Sequence, residues 1–121
     1  KILISSPTAD SVRSVCPAPK HPLKMWRIKS ERLVPFVPEE LTGIKEQYNY
    51  PRQKLPAAYV QNGAIDVIHI KTIIEKKSIT GDIILPYIMD DVCSINIDTQ
   101  LDFKFAEIVM KEGLDSSNFQ F

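Results

Sequence analysis

The stretch Gly63-Ala-Ile-Asp-Val-Ile-His-Ile70 carries the strongest strand signal of the chain. Half of its residues are β-branched, and such side chains favour the pleated, half-buried surface of a sheet. Residues 71–77, directly after it, predict a short helix. The stretch and the segment after it therefore predict a strand that leads directly into a helix.

Further strands are predicted from short apolar or alternating segments. They are expected at residues 1–5, 11–15, 83–89 and 94–98. The segment 83–89 contains Pro86, which cannot donate a hydrogen bond to a neighbouring strand. This strand is therefore expected at the edge of a sheet.

The region between the first strands and Gly63 is rich in proline and tyrosine. Residues 25–28 and 32–36 predict a hairpin that turns at 29–31. Residues 38–56 hold three prolines and two tyrosines, Tyr48 and Tyr50. Because tyrosines have little use in a flexible tether, we expect this stretch to be an ordered arm rather than a linker.

The clearest helix is predicted over residues 99–112. Its apolar side chains recur at helical spacing, at Leu101, Phe105, Ile108 and Val109. Asp98 or Thr99 is expected to cap the N-terminus, and Thr99 with Asp102 resembles a capping box. Gly113 stands where a C-terminal cap is expected.

Composition excludes several classes of protein. The 121 residues carry 15 basic and 15 acidic side chains, so no overall charge attracts the chain to nucleic acid or to an anionic membrane. No apolar run approaches the length of about 18 residues needed to span a bilayer. The four glycines are scattered singly, so neither common glycine-rich phosphate loop is present.

The cysteines and histidines give no catalytic pattern. Cys16 and Cys93 lack metal-ligand spacing, and two buried free thiols in a cytoplasmic protein are expected. His69 lies in an apolar segment and is expected to be a hydrogen-bonded core histidine. His21 stands alone, 48 positions earlier in the chain.

Three motifs allow both a structural and a chemical interpretation. Asn62-Gly63 is typical of a turn with positive φ. Arg52, between Pro51 and Gln53, is either a solvated surface charge or a stiff guanidinium suited to a carboxylate or phosphate. Asp98 is either a helix N-cap or a carboxylate at the end of a strand, where it could hold Mg²⁺.

Taken together, three segments resemble the C-terminal half of the acylneuraminate cytidylyltransferase family. They are His21-Pro-Leu-Lys-Met-Trp26, Arg52-Gln-Lys-Leu-Pro56 followed by Asn62-Gly-Ala-Ile65, and Ile95-Asn-Ile-Asp-Thr-Gln-Leu-Asp102. The resemblance covers about residues 9–108. It implies an α/β fold. The chain would be a single domain over 1–121, part of a Rossmann-like nucleotidyltransferase fold with a mixed β-sheet, in which residues 21–60 form a β-rich dimerisation arm.

The resemblance also implies an activity and its site. Such enzymes transfer CMP from CTP to a sialic-acid-like sugar acid and release pyrophosphate, with Mg²⁺ as cofactor and a homodimer as the working form. Lys24 and Arg52 match basic residues that reach the neighbouring subunit's sugar carboxylate. Substrate-binding residues are implied at Gln53, Asn62, Gly63, Ala64 and Asp66, and metal ligands at Asn96 and Asp98. No nucleic acid and no membrane is implied as a partner.

Several departures from the family pattern leave alternatives open. Asn96 replaces a carboxylate, so weaker Mg²⁺ binding is expected. Asp66 replaces a tyrosine, and a pair of phenylalanines is missing near Ile79 and Thr80, which leaves N-acetylneuraminate and a related nonulosonate as equal alternatives. The strand and basic loop that cradle CTP are not seen ahead of Lys1, so the chain is expected to be truncated and inactive alone. A non-catalytic dimerisation or binding module, or an enzyme acting on 3-deoxy-octulosonate, are the competing interpretations.

Overall fold

The computed structural model describes residues 1–112. They contain five strands and three α-helices. The strands are β1 (Ser11–Pro17), β2 (Trp26–Lys29), β3 (Arg32–Pro35), β4 (Tyr59–Ile68) and β5 (Ile84–Ile88). The helices are α1 (Glu39–Thr42), α2 (Ile70–Lys76) and α3 (Gln100–Lys111). Single 3₁₀ turns lie at Pro22–Lys24, Gln47–Asn49, Arg52–Lys54 and Asp91–Ser94.

The chain divides into two compact units. Residues 1–16, with the part of the chain that begins at Val60, form what we call the sheet unit. Residues 17–59 form the second, which we call the arm unit because it coincides closely with the segment 21–60. The role of this segment in dimerisation stays a prediction.

The sheet unit is built on a mixed three-stranded sheet in the order β4-β1-β5. Strands β1 and β5 are parallel, with Ser11 opposite Ile84 and Val15 opposite Ile88. The His69 N–H donates to the Asp10 carbonyl (3.1 Å) and the Ile65 N–H to the Ser14 hydroxyl (2.8 Å), so β4 runs antiparallel to β1. The α/β class is confirmed, as are the edge position of β5 and the helix after β4.

Asp10 connects three elements of the sheet unit. Its carboxylate is buried and accepts hydrogen bonds from the N–H groups of Asp82 (2.8 Å) and Ile83 (3.0 Å) and from the Lys76 ammonium (2.9 Å). Its carbonyl accepts from the N–H of His69, directly before α2. The start of β1, helix α2 and the segment before β5 are thus tied to one side chain.

Gly81 makes this arrangement possible. Its φ is +74°, a conformation that costs an ordinary residue free energy. A Cβ built on it would overlap Asp10 Cβ and lie 2.6 Å from Asp10 Oδ2. Only glycine lets the backbone of 81–83 approach the carboxylate closely enough to donate to it.

The arm unit is organised around a buried amide. The Gln47 side chain is fully buried, donates from Nε2 to the Val37 carbonyl (2.6 Å) and accepts at Oε1 from the Thr42 hydroxyl (2.6 Å). The Trp26 and Tyr48 rings lie with their centroids 4.4 Å apart. These contacts agree with the expectation of an ordered arm. The hairpin of antiparallel β2 and β3 is confirmed.

Two predicted strands are absent from the described residues. Residues 1–5 form turns, because the Ser5 hydroxyl and N–H bond back to the Lys1 carbonyl. In place of a strand at 94–98, a 3₁₀ turn ends at Ser94, whose hydroxyl donates to the Asp90 carbonyl (2.8 Å). In both segments a serine closes a local turn that an apolar count does not reveal.

Two expectations about single residues also need correction. Cys93 is exposed, whereas Cys16 is buried, so only one thiol is in the core. His69 precedes α2, and its buried Nε2 lacks a hydrogen-bond partner among the described residues, so it is not a satisfied core histidine. Of the two expected cap residues, Thr99 caps α3, and the predicted capping box with Asp102 is confirmed. The expectation for Gly113 falls outside the described residues.

Candidate functional site

Asn62 and Gly63 lie within β4 rather than in a turn ahead of it. Gly63 has φ +68°, as expected for this pair, and this breaks the extended geometry of the strand. The Ile65 N–H then meets the Ser14 hydroxyl (2.8 Å) instead of a backbone carbonyl. The Ala64 N–H turns back to Asn62 Oδ1 (3.3 Å).

The Asn62 amide is engaged on both sides. Its Oδ1 accepts from the Ser14 hydroxyl (2.6 Å), and its Nδ2 donates to Ser94 Oγ (2.9 Å). Ser14 is almost completely buried, 1% exposed. The fold itself therefore uses this amide, which limits what Asn62 could offer a ligand in this conformation.

Asp66 forms a two-pronged ion pair with Arg13 on the neighbouring strand β1. The guanidinium donates from Nε to Oδ1 (2.8 Å) and from Nη2 to Oδ2 (2.9 Å). These hydrogen bonds lower the pKa of Asp66 and raise that of Arg13. The carboxylate where the family pattern has tyrosine is thus held ionised and is partly neutralised by its own chain.

Asn96 and Asp98 lie next to each other on the exposed segment before α3. Asn96 Nδ2 donates to Asp98 Oδ2 (2.5 Å), and the Asp98 N–H donates to Asp102 Oδ2 (3.2 Å). Hydrogen bonds from Thr99 lower the pKa of Asp102. Among the described residues, no group of three or more His, Cys, Asp or Glu side chains gathers as a metal site.

Asn96 and Asp98 carry the type of ligand atom, oxygen, that Mg²⁺ binds. Mg²⁺ takes oxygen ligands and is commonly bound through one or two carboxylates together with substrate phosphates. Asp98 supplies one carboxylate, and Asn96 has an amide oxygen. Since Asn96 now points its NH₂ group toward Asp98, the amide would have to turn over to offer that oxygen.

The arm unit holds the two predicted cations in defined positions. The Lys24 ammonium donates to the Tyr48 carbonyl (3.0 Å), and Arg52 Nη2 donates to the Ala18 carbonyl (2.6 Å). Arg52 begins the 3₁₀ turn that also contains Gln53, and both side chains are exposed. Because a guanidinium has five N–H donors, this one bond leaves Arg52 able to orient toward a ligand as well.

His21 is a buried residue of the arm unit with two hydrogen bonds to the backbone. Its Nε2 donates to the Pro56 carbonyl (2.8 Å), and its Nδ1 accepts from the Leu23 N–H (3.2 Å). Since a carbonyl only accepts, the neutral Nε2–H tautomer satisfies both bonds. His21 and Arg52 line a small cavity of about 150 Å³. The His-Pro pair, which starts a 3₁₀ turn, was the available sequence signal for this position.

The predicted site residues therefore fall into two groups. Lys24, Arg52 and Gln53 belong to the arm unit. Asn62, Gly63, Ala64, Asp66, Asn96 and Asp98 belong to the sheet unit. Within the sheet unit, Asn62 is connected through Ser94 to the segment that carries Asn96 and Asp98.

Comparison with known proteins gives a partial similarity. No family model matches the chain. Over 69 residues it is 31% identical to Post-translational flagellin modification protein B of Campylobacter coli. The aligned segment is 56% of this chain but 29% of that relative, so the chain spans less than a third of the relative's length.

The helices give one further observation. Across residues 1–112, no helix has both the length and the apolar character that crossing a bilayer requires.

Proposed function

We propose that the chain is part of a nucleotidyltransferase of the acylneuraminate cytidylyltransferase type. Such an enzyme transfers CMP from CTP to a sialic-acid-like nonulosonate. The 69-residue similarity to a flagellin modification protein is the observation that carries this proposal, together with the motifs at Arg52, Asn62 and Asp98. We propose that the modification concerned is a sugar, which has to be activated before its transfer, and a CMP-sugar is such an activated form.

The proposed reaction is a single displacement. The anomeric hydroxyl oxygen of the sugar attacks the α-phosphorus of CTP and forms a new P–O bond. The bond from that phosphorus to the oxygen bridging the β-phosphate breaks, pyrophosphate leaves, and the hydroxyl proton passes to solvent. No covalent enzyme intermediate is required, so the protein contributes positioning and charge stabilisation.

Each residue has a proposed role. Lys24 and Arg52 bind the sugar carboxylate in a partner copy of the chain, which makes a homodimer the proposed working form. Gln53 and the strand segment Asn62–Asp66 line the substrate site. Asn96 and Asp98 hold Mg²⁺, which offsets negative charge on the phosphates when it is bound. We further propose a cytoplasmic location, where CTP is available.

A second candidate function is a binding or assembly module without catalysis. The observation in its favour is the amide at position 96, whose NH₂ group is hydrogen-bonded to Asp98. A site with one carboxylate instead of two binds Mg²⁺ less tightly, because one negative charge is lost.

Binding distinguishes the two candidates. The chain is titrated by calorimetry with Mg²⁺-CTP and with several nonulosonates. CMP-sugar formation, followed by mass spectrometry, is a separate readout, since it would contradict the expectation that the chain is inactive alone. The enzyme proposal expects heat of binding that Arg52→Ala and Asp98→Ala abolish, whereas Arg32→Ala, a change of an exposed arginine on β3, leaves it intact. Absence of binding to every ligand would overturn the proposal in favour of the module.

A further inference from the structure

A chain of hydrogen bonds runs across the sheet unit through the buried Ser14 and the half-buried Asn62 and Ser94. The Ile65 N–H donates to Ser14, the Ser14 hydroxyl donates to Asn62 Oδ1, Asn62 Nδ2 donates to Ser94, and Ser94 donates to the Asp90 carbonyl. The four distances are 2.8, 2.6, 2.9 and 2.8 Å. We call this the Ser14–Asn62–Ser94 relay.

The donor and acceptor roles of the side chains in the relay can be arranged in one direction only. Each serine hydroxyl has one proton to donate and uses it, and each accepts one further proton. The amide orientation of Asn62 follows, because its oxygen must face Ser14 and its NH₂ group must face Ser94. A hydrogen-bond network in which every member is satisfied favours one arrangement of the elements it joins.

The relay ends beside the candidate metal ligands. Ser94 is the last residue of its 3₁₀ turn, and Thr99 starts the capping box of α3. Only residues 95–98 lie between these two anchors, and they include Asn96 and Asp98. A four-residue segment fixed at both ends has little conformational freedom, so the relay and the capping box together determine where the two oxygen ligands lie.

We infer that Ser14 and Ser94 are positioning residues, which fix the segment 95–98 relative to β4 through the Asn62 amide. Ser14 touches neither Asn96 nor Asp98 among the contacts of the described residues and acts through Asn62 alone. The inference deepens the proposed function and rests on it only in taking Asn96 and Asp98 as Mg²⁺ ligands.

Residue-resolved amide hydrogen exchange tests the relay without any ligand. Ser14→Ala is expected to raise the exchange rates of the Ile65 amide and of the amides of 93–98 at least tenfold. Ser94→Ala is expected to raise the rates at 93–98 while leaving the Ile65 amide protected, since the Ser14 hydroxyl remains. It also provides a second variant if Ser14→Ala fails to fold.

Ser11→Ala is the matched control. Ser11 lies on the same strand, is as buried as Ser14, and makes one strong side-chain hydrogen bond, to the Thr80 carbonyl (2.6 Å). Its substitution is expected to leave the exchange at 93–98 within twofold of the wild type. If Ser14→Ala and Ser11→Ala change exchange at 93–98 equally, or Ser94→Ala does not change it, the relay does not position the segment.

A Mg²⁺ titration separates failure of the relay from failure of the proposed function. The Asp98 amide shift is followed in the wild type, Ser14→Ala and Ser11→Ala. The relay predicts that Mg²⁺ binds at least threefold more weakly to Ser14→Ala, with Ser11→Ala like the wild type; equal affinities in all three would overturn the positioning role. No Mg²⁺-dependent shift in the wild type would overturn the metal site itself, and the exchange rates would then decide the relay.

Discussion

Replacing Gly81 with alanine adds one methyl group and is expected to destabilise the sheet unit strongly. Two costs add. A non-glycine residue at φ +74° costs about 1–2 kcal/mol. The new Cβ would also overlap Asp10 Cβ, and forcing an extra methyl into a packed site typically costs about 1–3 kcal/mol. The free energy of unfolding should therefore fall by about 2–5 kcal/mol.

Gly63→Ala supplies the matched control for this prediction. Gly63 lies in the same unit with φ +68°, but nothing lies within 4 Å of a Cβ built there. Its substitution is expected to cost only the backbone strain of about 1–2 kcal/mol. The difference between the two variants thus isolates the close approach to Asp10.

Urea unfolding followed by far-ultraviolet circular dichroism measures both variants. The reasoning is refuted if the two substitutions lower the free energy of unfolding by the same amount. A loss confined to the backbone strain would mean that the 81–83 segment moves away from Asp10 at no cost. The hydrogen bonds from Asp82 and Ile83 would then contribute little to the fold.

Three further predictions concern other parts of the chain. Gln47→Leu leaves the Val37 carbonyl and the Thr42 hydroxyl without their buried partner, and should cost about 1–3 kcal/mol, measured by the fluorescence of Trp26, the chain's one tryptophan. Thr99→Ala should cost about 1 kcal/mol through loss of the cap, whereas Asp98→Ala should stay within about 0.5 kcal/mol in thermal or chemical unfolding; an equal loss would mean that Asp98 is the cap. The pKa of Asp10 is lowered, first by the Ile83 N–H, then by Lys76 and the Asp82 N–H. The ionised form therefore stabilises the fold fully at pH values above the pKa of an aspartate in the unfolded chain, which is about 4. This stabilisation is lost as the pH falls below that value towards the lowered pKa of the folded state. Unfolding titrations from pH 6 to 2 should show a shallower decline in Asp10→Asn than in the wild type, and parallel curves would contradict this.

Local pattern was enough to predict most elements of the sheet unit. The β-branched run after Gly63 forms β4, the proline-containing segment forms the edge strand β5, and Thr99 with Asp102 forms a capping box. In each case the signal lies in a few neighbouring residues. The two segments predicted wrongly as strands each contain a serine whose side chain closes a local turn.

The side chains that collect several hydrogen bonds could not be predicted from the sequence, because most of their partners lie far away along the chain. The Asp10 carboxylate accepts from Lys76, Asp82 and Ile83, and Ser14 meets Asn62 across 48 positions. Nothing near Gln47 marks it as fully buried. For the candidate site, the residue types at Arg52, Asn62 and Asp98 were apparent from motifs, but the partners that occupy them, Ala18, Ser14 and Asn96, follow only from the fold.

The exposure of Cys93 has a practical consequence for every measurement of self-association. Two copies that meet in an oxidising buffer can join covalently through this thiol, while Cys16 stays protected in the interior. A pair linked in this way would run as twice the monomer mass and imitate a specific twofold complex. Sedimentation experiments therefore need a reductant or a Cys93→Ser variant before any assembly is credited to the arm unit.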